Sequence, residues 1–205
     1  MHKSVSDFLA DIERHFDEID PTRKSELEKI SSFIREQEQK GEKAQLTFIC
    51  THNSRRSHLS QIWASVGAAY YNLESLVENY SGGTEITAFN PRAVAAIERA
   101  GLKVENPGGE NPHYLIRFSD EASPILCFSK KYDHQGNPSS NFVAVMTCSH
   151  ADENCPFIPG ANFRVAIPYV DPKESDGSDQ ETQTYDERNR QIATEMLYMM
   201  SKVRG

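Results

Sequence analysis

No stretch of the chain approaches the ~18 consecutive apolar residues that a membrane span needs, so no transmembrane helix is expected. An excess of positive charge is missing too: 22 Lys and Arg stand against 30 Asp and Glu, a net charge of −8. A broad nucleic-acid surface needs a basic face, which this balance argues against, while a small basic patch around a small anion stays open. Cysteine is scarce, with four residues at Cys50, Cys127, Cys148 and Cys155. In a reducing compartment such thiols are catalytic, redox-active or simply buried rather than a structural disulfide framework. The segment "MHKSVSDFLADIERHFDEID" carries acids throughout and has no uninterrupted apolar core. It does not read as a signal peptide, and a cytoplasmic protein is expected. Internal repeats and low-complexity tracts are absent.

A chain of 205 residues suits one good core plus an appendage. Residues 1–44 read as a helical hairpin. Val5, Phe8, Leu9, Ile12 and Phe16 form one stripe. Asp20 then suits an N-cap, Pro21 a first helical position and Gly41 a stop, with Leu27, Ile30, Phe33 and Ile34 on the apolar side. That apolar face must pack on something, and three roles are open: covering the sheet, a homodimer contact, or shaping the site entrance. Residues 45–205 read as the main domain. "QLTFIC" is a strand, a helix carries Leu59, Ile62, Trp63, Val66, Tyr70 and Leu73, and "TEITAFN" is a second short strand. "NPRAVAAIERAGLKV" is a helix, "HYLIRF" and "PILCFSKKY" a hairpin or two neighbouring strands, and "NFVAVMTC" and "FRVAIPYV" continuous apolar strands. A last helix spans about residues 178–203. Strands alternating with helices predict an α/β fold, with an open, mainly parallel four-stranded sheet, helices on both faces and an N-terminal helical extension.

"LTFICTHNSRRSHLSQIW" places Cys50 where a buried strand stops and a helix is about to start. Main-chain N–H groups of a loop entering a helix N-terminus form an anion cradle, and the same field favours a thiolate. Arg56 adds a planar, permanently charged fork suited to a tetrahedral oxyanion. A nucleophile inside an oxyanion cradle is the arrangement needed to attack phosphorus or arsenic.

The run "CTHNSRRS" resembles the Cys-x-x-Asn-x-x-Arg-Ser loop of the low-molecular-weight protein tyrosine phosphatase superfamily, and within it the thioredoxin-coupled arsenate reductases. "SGGTEITAFNPRAVAAIERAGLKVE", "VAVMTCSHADENCPFIPG" and "VDPKE" resemble that family's second segment, redox loop and acid loop, extending the likeness over roughly residues 45–203. The resemblance implies Cys50 as nucleophile and Arg56 as oxyanion clamp, within a binding loop of Thr51, His52, Asn53, Ser54, Arg55 and Arg56. Asn53, Ser57 and Ser81 would support the loop by hydrogen bonds, and Asp171, before Pro172, would be the general acid. Cys148 and Cys155 match the second and third cysteines of the reductases. They imply a relay that ends on an external thiol reductant, thioredoxin by the resemblance with a glutathione-type thiol left open, with no bound cofactor and no metal. The implied substrate is arsenate or a phosphate-type oxyanion. The chain departs from the family at His52, usually glycine, and at Arg55, often cysteine. After the Asp-Pro pair it has Lys173 and Glu174 where tyrosine-type phosphatases carry aromatics, which disfavours phosphotyrosine.

Plainer readings stand beside these. Cys148 and Cys155 can be inert loop thiols, or zinc ligands with His150, although no second ligand pair accompanies them. Asp171 can be a turn residue, and Asn53, Ser57 and Ser81 turn and cap residues. Cys127 reads as core, and His58 and His150 as solvated surface. Two reactions share Cys50, Arg56 and Asp171: arsenate reduction and phosphomonoester hydrolysis through a Cys50 phosphoenzyme. A non-catalytic oxyanion sensor is the third function considered.

Overall fold

The computed structural model describes residues 1–154 and 157–204. Asp20 opens the second helix as its position requires. Its carboxylate accepts the N–H groups of Thr22 and Arg23 at 2.9 and 3.2 Å, and Pro21 sits where no intrahelical N–H is needed. This helix, α2 (Pro21–Gln39), follows α1 (Lys3–Glu13). Just past its end, Gly41 takes a φ of +73°, a left-handed turn that costs glycine little.

The central sheet has four parallel strands in the order β2-β1-β6-β7. They are β1 (Ala44–Cys50), β2 (Val77–Gly83), β6 (Phe142–Met146) and β7 (Ala161–Ala166). The second strand is "VENYSGG", not "TEITAFN", which runs as a loop. Its polar, glycine-containing sequence hides a strand that a close neighbour explains. A Cβ at Gly82 would lie 2.3 Å from Tyr132 Cα, so the chain passes too near for any side chain. The helices are α3 (Arg56–Tyr70), α4 (Pro91–Arg99), the short α5 (Ser149–Asn154) and α6 (Glu181–Ser201). A second, antiparallel sheet lies between α4 and β6 in the chain, formed by β3 (Lys103–Glu105), β4 (Tyr114–Arg117) and β5 (Ile125–Cys127). "HYLIRF" and "PILCFSKKY" therefore pair as neighbours, joined by a strand from the tail of the expected helix segment.

Alternation along the strands divides the interior in two. Leu46, Phe48, Val143, Val145 and Val165 face a large core shared with α3, α6, α4 and both N-terminal helices. Ile49, Phe142, Ala144 and Met146 face the other way, into a small core closed by Cys148, Ala151 and Ile158. The N-terminal hairpin belongs to the first. Val5, Leu9, Ile12, Leu27, Ile30 and Ile34 are fully buried there, Ser31 Oγ donates to the Met199 carbonyl at 2.7 Å, and Phe33 meets Phe163 edge-on. The hairpin's side chains pack chiefly on α6 and α3, and α2 also covers β1 and Phe163 of β7. The apolar stripe that made a homodimer contact plausible is consumed inside the chain, which removes the reason for that expectation.

Because the hairpin shares the main core, Ile34→Ala should destabilise the whole chain by ~2–5 kcal/mol, the usual cost of truncating a fully buried aliphatic side chain. Urea unfolding followed by Trp63 fluorescence would check this. A separately folded arm would instead leave the Trp63 transition where it was.

Candidate active site

At the end of β1, residues 51–55 curl before α3 begins. Their carbonyls are drawn outward by neighbouring segments. The Thr84 N–H reaches the Cys50 carbonyl at 3.3 Å, the Glu85 N–H the Thr51 carbonyl at 2.8 Å, and the Asn90 N–H the Ser54 carbonyl at 2.8 Å. Ser129 Oγ and Thr87 Oγ1 both donate to the His52 carbonyl, at 2.9 and 3.2 Å. Among the described residues, the main-chain N–H groups of residues 51–55 meet no protein acceptor. A row of unengaged amides at a helix N-terminus is an anion-binding surface. Gly83 permits this closeness, since a Cβ there would lie 2.7 Å from the Asn53 nitrogen and the Thr51 oxygen.

Asn53 is fully buried with a φ of +44°, a left-handed conformation that asparagine tolerates better than most side chains. Its Nδ2 donates to Ser57 Oγ at 2.9 Å and its Oδ1 accepts the Lys130 N–H at 3.0 Å. Ser57 Oγ lies 3.1 Å from the buried Cys50 Sγ. Asn53 and Ser57 thus both reach the Cys50 end of the loop. Ser81 does not: it pairs with Phe48, two residues short of Cys50, and its hydroxyl donates to Gln61 Oε1 at 2.6 Å. Among the described residues Ser81 makes no hydrogen bond to the loop, contrary to expectation, and Ser129 bonds it instead. Ser129 arrives from beyond β5 and is fixed by Asn111 through two bonds of 2.8 and 3.0 Å. No local pattern around Ser129 or Asn111 marks this role.

Cys50, His52, Ser54, Arg55, Arg56 and Asp171 line one narrow cavity. Arg56 Nη2 donates to Asp171 Oδ2 at 2.7 Å and Nη1 to the Tyr169 carbonyl at 3.0 Å, while its buried Nε meets no acceptor among the described residues. Asp171 also caps the following 3-10 turn (Pro172–Ser175), accepting the Lys173 N–H at 3.1 Å, so its turn role is present alongside its place in the cavity. Arg55 is held by residues late in the chain, with Nε donating to Tyr185 Oη at 2.9 Å and 3.8 Å from Asp171 Oδ1, and Nη2 3.6 Å from Asp176 Oδ2. The His52 ring points outward to Glu85 at 3.3 Å with 44% of its side chain exposed, so its bulk does not fill the loop.

Cys148 follows β6, whose partner Ile49 precedes Cys50. Its sulfur is buried, 3.6 Å from Thr51 Oγ1, and accepts the Ala151 N–H at 3.3 Å. Thr51 Oγ1 is also 3.3 Å from Nδ1 of the exposed His150. Cys155 lies outside the described residues. Cys127 is buried, and that burial pushes its thiol up to about 12. Among the described residues, no group of three or more His, Cys, Asp or Glu is placed to hold a metal ion.

No family model matches the chain. Among curated proteins it is 32% identical over 118 residues to arsenate reductase 2 of Staphylococcus epidermidis, covering 58% of this chain and 70% of that one. It is 29% identical over 134 residues to an arsenate reductase of Halalkalibacterium halodurans, covering 65% and 78%. Among solved structures, a low-molecular-weight phosphotyrosine phosphatase from Vibrio cholerae matches with a TM-score of 0.52. It covers 78% of this chain and 97% of that one. At 11% identity that likeness is one of fold.

His58, read from sequence as solvated, is wholly buried on α3 behind the loop. It packs against Phe89 with Nε2 3.2 Å from the Phe128 carbonyl. The first turn of α3 is covered all round here, which helical periodicity alone does not reveal. Burial, reinforced by the nearby Lys130 charge, pulls the imidazole pKa down from 6.5 to about 3. The unfolded chain therefore binds a proton below 6.5 that the folded chain refuses until about 3. The resulting stability is complete above 6.5 and drains away as the pH falls through that window. His58→Gln should flatten this part of the profile, seen as a smaller loss of urea midpoint between neutral and mildly acidic buffer.

Proposed function

The chain belongs to the arsenate reductase family within the low-molecular-weight protein tyrosine phosphatase superfamily, and from that membership we propose that it reduces arsenate to arsenite with electrons from an external dithiol. The observation that carries the reading is the position of the second sulfur. Cys148 Sγ stands 3.6 Å from the hydroxyl of Thr51, the residue next to Cys50, inside the same small core as Cys50. A hydrolase needs one thiol in its site, whereas a reductase needs another within reach.

Arsenate sits against the amides of residues 51–55, with its oxygens facing Arg56. The Arg56–Asp171 contact opens so that the guanidinium turns to the anion and the carboxyl can give up a proton. The Cys50 thiolate forms an S–As bond as one arsenate oxygen leaves as water, protonated from Asp171. Cys148 thiolate then attacks Cys50 Sγ. An S–S bond forms, the S–As bond breaks with its electron pair going to arsenic, and arsenite departs. Cys155 thiolate attacks Cys148 Sγ, expelling Cys50 as thiolate and leaving a Cys148–Cys155 disulfide. An external dithiol of the thioredoxin type returns the two electrons. Each transfer is thiol–disulfide exchange, which requires thiolate and access. Such chemistry fits a cytoplasmic setting, where reduced thiols are maintained.

Phosphomonoester hydrolysis is the second reading, because Cys50, Arg56 and Asp171 serve it without Cys148. Lys173 and Glu174 beside Asp171, in place of aromatic side chains, count against an aryl phosphate as its natural substrate. Arsenate turnover with thioredoxin should drop by ~100-fold or more in both Cys148→Ser and Cys155→Ser, while 4-nitrophenyl phosphate hydrolysis by the same variants stays near wild type. Arsenate turnover that survives in both would reject the relay, whereas a wild-type chain that hydrolyses 4-nitrophenyl phosphate but does not turn over arsenate would leave the hydrolase.

A further inference from the structure

The segment that holds Arg56 and Asp171 is gripped from behind by the N-terminal extension. Beyond β7 the chain continues alongside the end of β6, with the Ile167 N–H on the Met146 carbonyl at 2.9 Å and the Tyr169 N–H on the Thr147 carbonyl at 3.1 Å. Among the described residues β7 is the edge of its sheet, so carbonyls on its outer side have no strand there to pair with. The Pro168 carbonyl is met instead by Arg23 Nη2, from α2, at 2.7 Å. The same guanidinium places Nε 3.6 Å from Glu195 Oε2 and lies 5.3 Å from the Tyr169 ring centre. Glu195 is 4% exposed and also accepts the Tyr169 hydroxyl at 2.8 Å and Gln191 Nε2 at 3.0 Å. Tyr169 is therefore fixed at its ring, its hydroxyl and its amide. Its remaining polar group, the carbonyl, accepts Arg56 Nη1 at 3.0 Å, two residues before Asp171. Arg188 adds positive charge close to Tyr169 and Glu195, but its own hydrogen bond goes to Gln191.

From this chain of contacts we infer that Arg23 is a positioning residue for the oxyanion site, setting the Pro168–Tyr169 step against which Arg56 and Asp171 are aligned. The inference rests on the reading of Cys50, Arg56 and Asp171 as the reacting site. Arg23 touches no reacting atom. It is one fork serving three partners: the Pro168 carbonyl, the buried Glu195 carboxylate and the Tyr169 ring. Without it the carbonyl loses its partner and Glu195 keeps only neutral hydrogen-bond donors. The step can then settle elsewhere, moving the Tyr169 carbonyl from Arg56. Lysine at this position can reach the carbonyl or the carboxylate but cannot bridge both in a plane. The N-terminal hairpin is thereby more than cover for apolar side chains, because it completes the rear wall of the site.

The test uses the full chain. The variants are Arg23→Ala and Arg23→Lys, with Arg35→Ala as control. Arg35 is a second α2 arginine, bonded to the Lys202 carbonyl at the far end of the helix. Two quantities are read: protection of Cys50 from iodoacetamide by inorganic phosphate, and KM and kcat for arsenate. Arg23→Ala should raise both the phosphate concentration for half-protection and KM by about tenfold, with kcat less affected, as expected for misplacement of a binding group. Arg23→Lys should recover part of that loss. Arg35→Ala should lower thermal stability comparably yet leave both constants within about twofold of wild type. Unchanged constants in Arg23→Ala, or equal shifts in Arg35→Ala, would overturn the inference. Absence of phosphate protection in the wild-type chain would instead overturn the oxyanion site itself.

Discussion

Asn53 is the side chain on which the site's geometry turns. A loop can expose consecutive amides toward one point only if the backbone reverses within it, and here that reversal is a left-handed residue with no exposed surface. Both ends of the Asn53 amide are used, one holding Ser57 near Cys50 and the other taking a main-chain N–H from the segment after β5. Leaving either end unsatisfied in the interior costs on the order of 1–3 kcal/mol, comparable with the strain of the turn itself. The conformation is therefore held by its surroundings rather than chosen by the loop.

Those surroundings come from chain topology. β1 lies between β2 and β6, so its carboxyl end opens at the place where connections leave the sheet in opposite directions. Open α/β sheets bind ligands at such a point. Cys50, Cys148 and Asp171 leave the carboxyl ends of β1, β6 and β7, three adjacent strands, so the parallel sheet brings distant residues to one edge without any local signal between them. The small antiparallel sheet contributes differently. Its exit segment carries Ser129 and Lys130, which hold the loop through the His52 carbonyl and Asn53.

Sequence patterns revealed the groups that announce themselves locally. A strand ending on Cys50, an arginine at the helix start, the capped start of α2 and the apolar runs of β1, β6 and β7 were all readable, because each is a statement about near neighbours. What escaped was decided at long range. β2 contains Glu, Asn, Tyr, Ser and two glycines, a composition that does not mark a strand, because its fitness as one depends on Tyr132 passing close by. Arg55 lines the cavity, yet nothing near it in sequence shows that Tyr185 and Asp176, from the far end of the chain, would hold it there. His58 looked exposed because nothing nearby indicated that Phe128 and Phe89 would cover it. The motif implies a loop contact for Ser81, whereas strand register pairs it with Phe48, two residues before Cys50.

The two faces of the sheet are unequally dressed. Five helices thicken one side, whereas Ile49, Phe142, Ala144 and Met146 on the other rely on Cys148, Ala151 and Ile158 for their covering. Any swing of Cys148 away from Cys50 thus lifts part of the roof off that minor core and wets hydrocarbon that was dry. Under the proposed relay, electron delivery and local unfolding would be a single event, and the dithiol that reduces the disulfide would also close that core again.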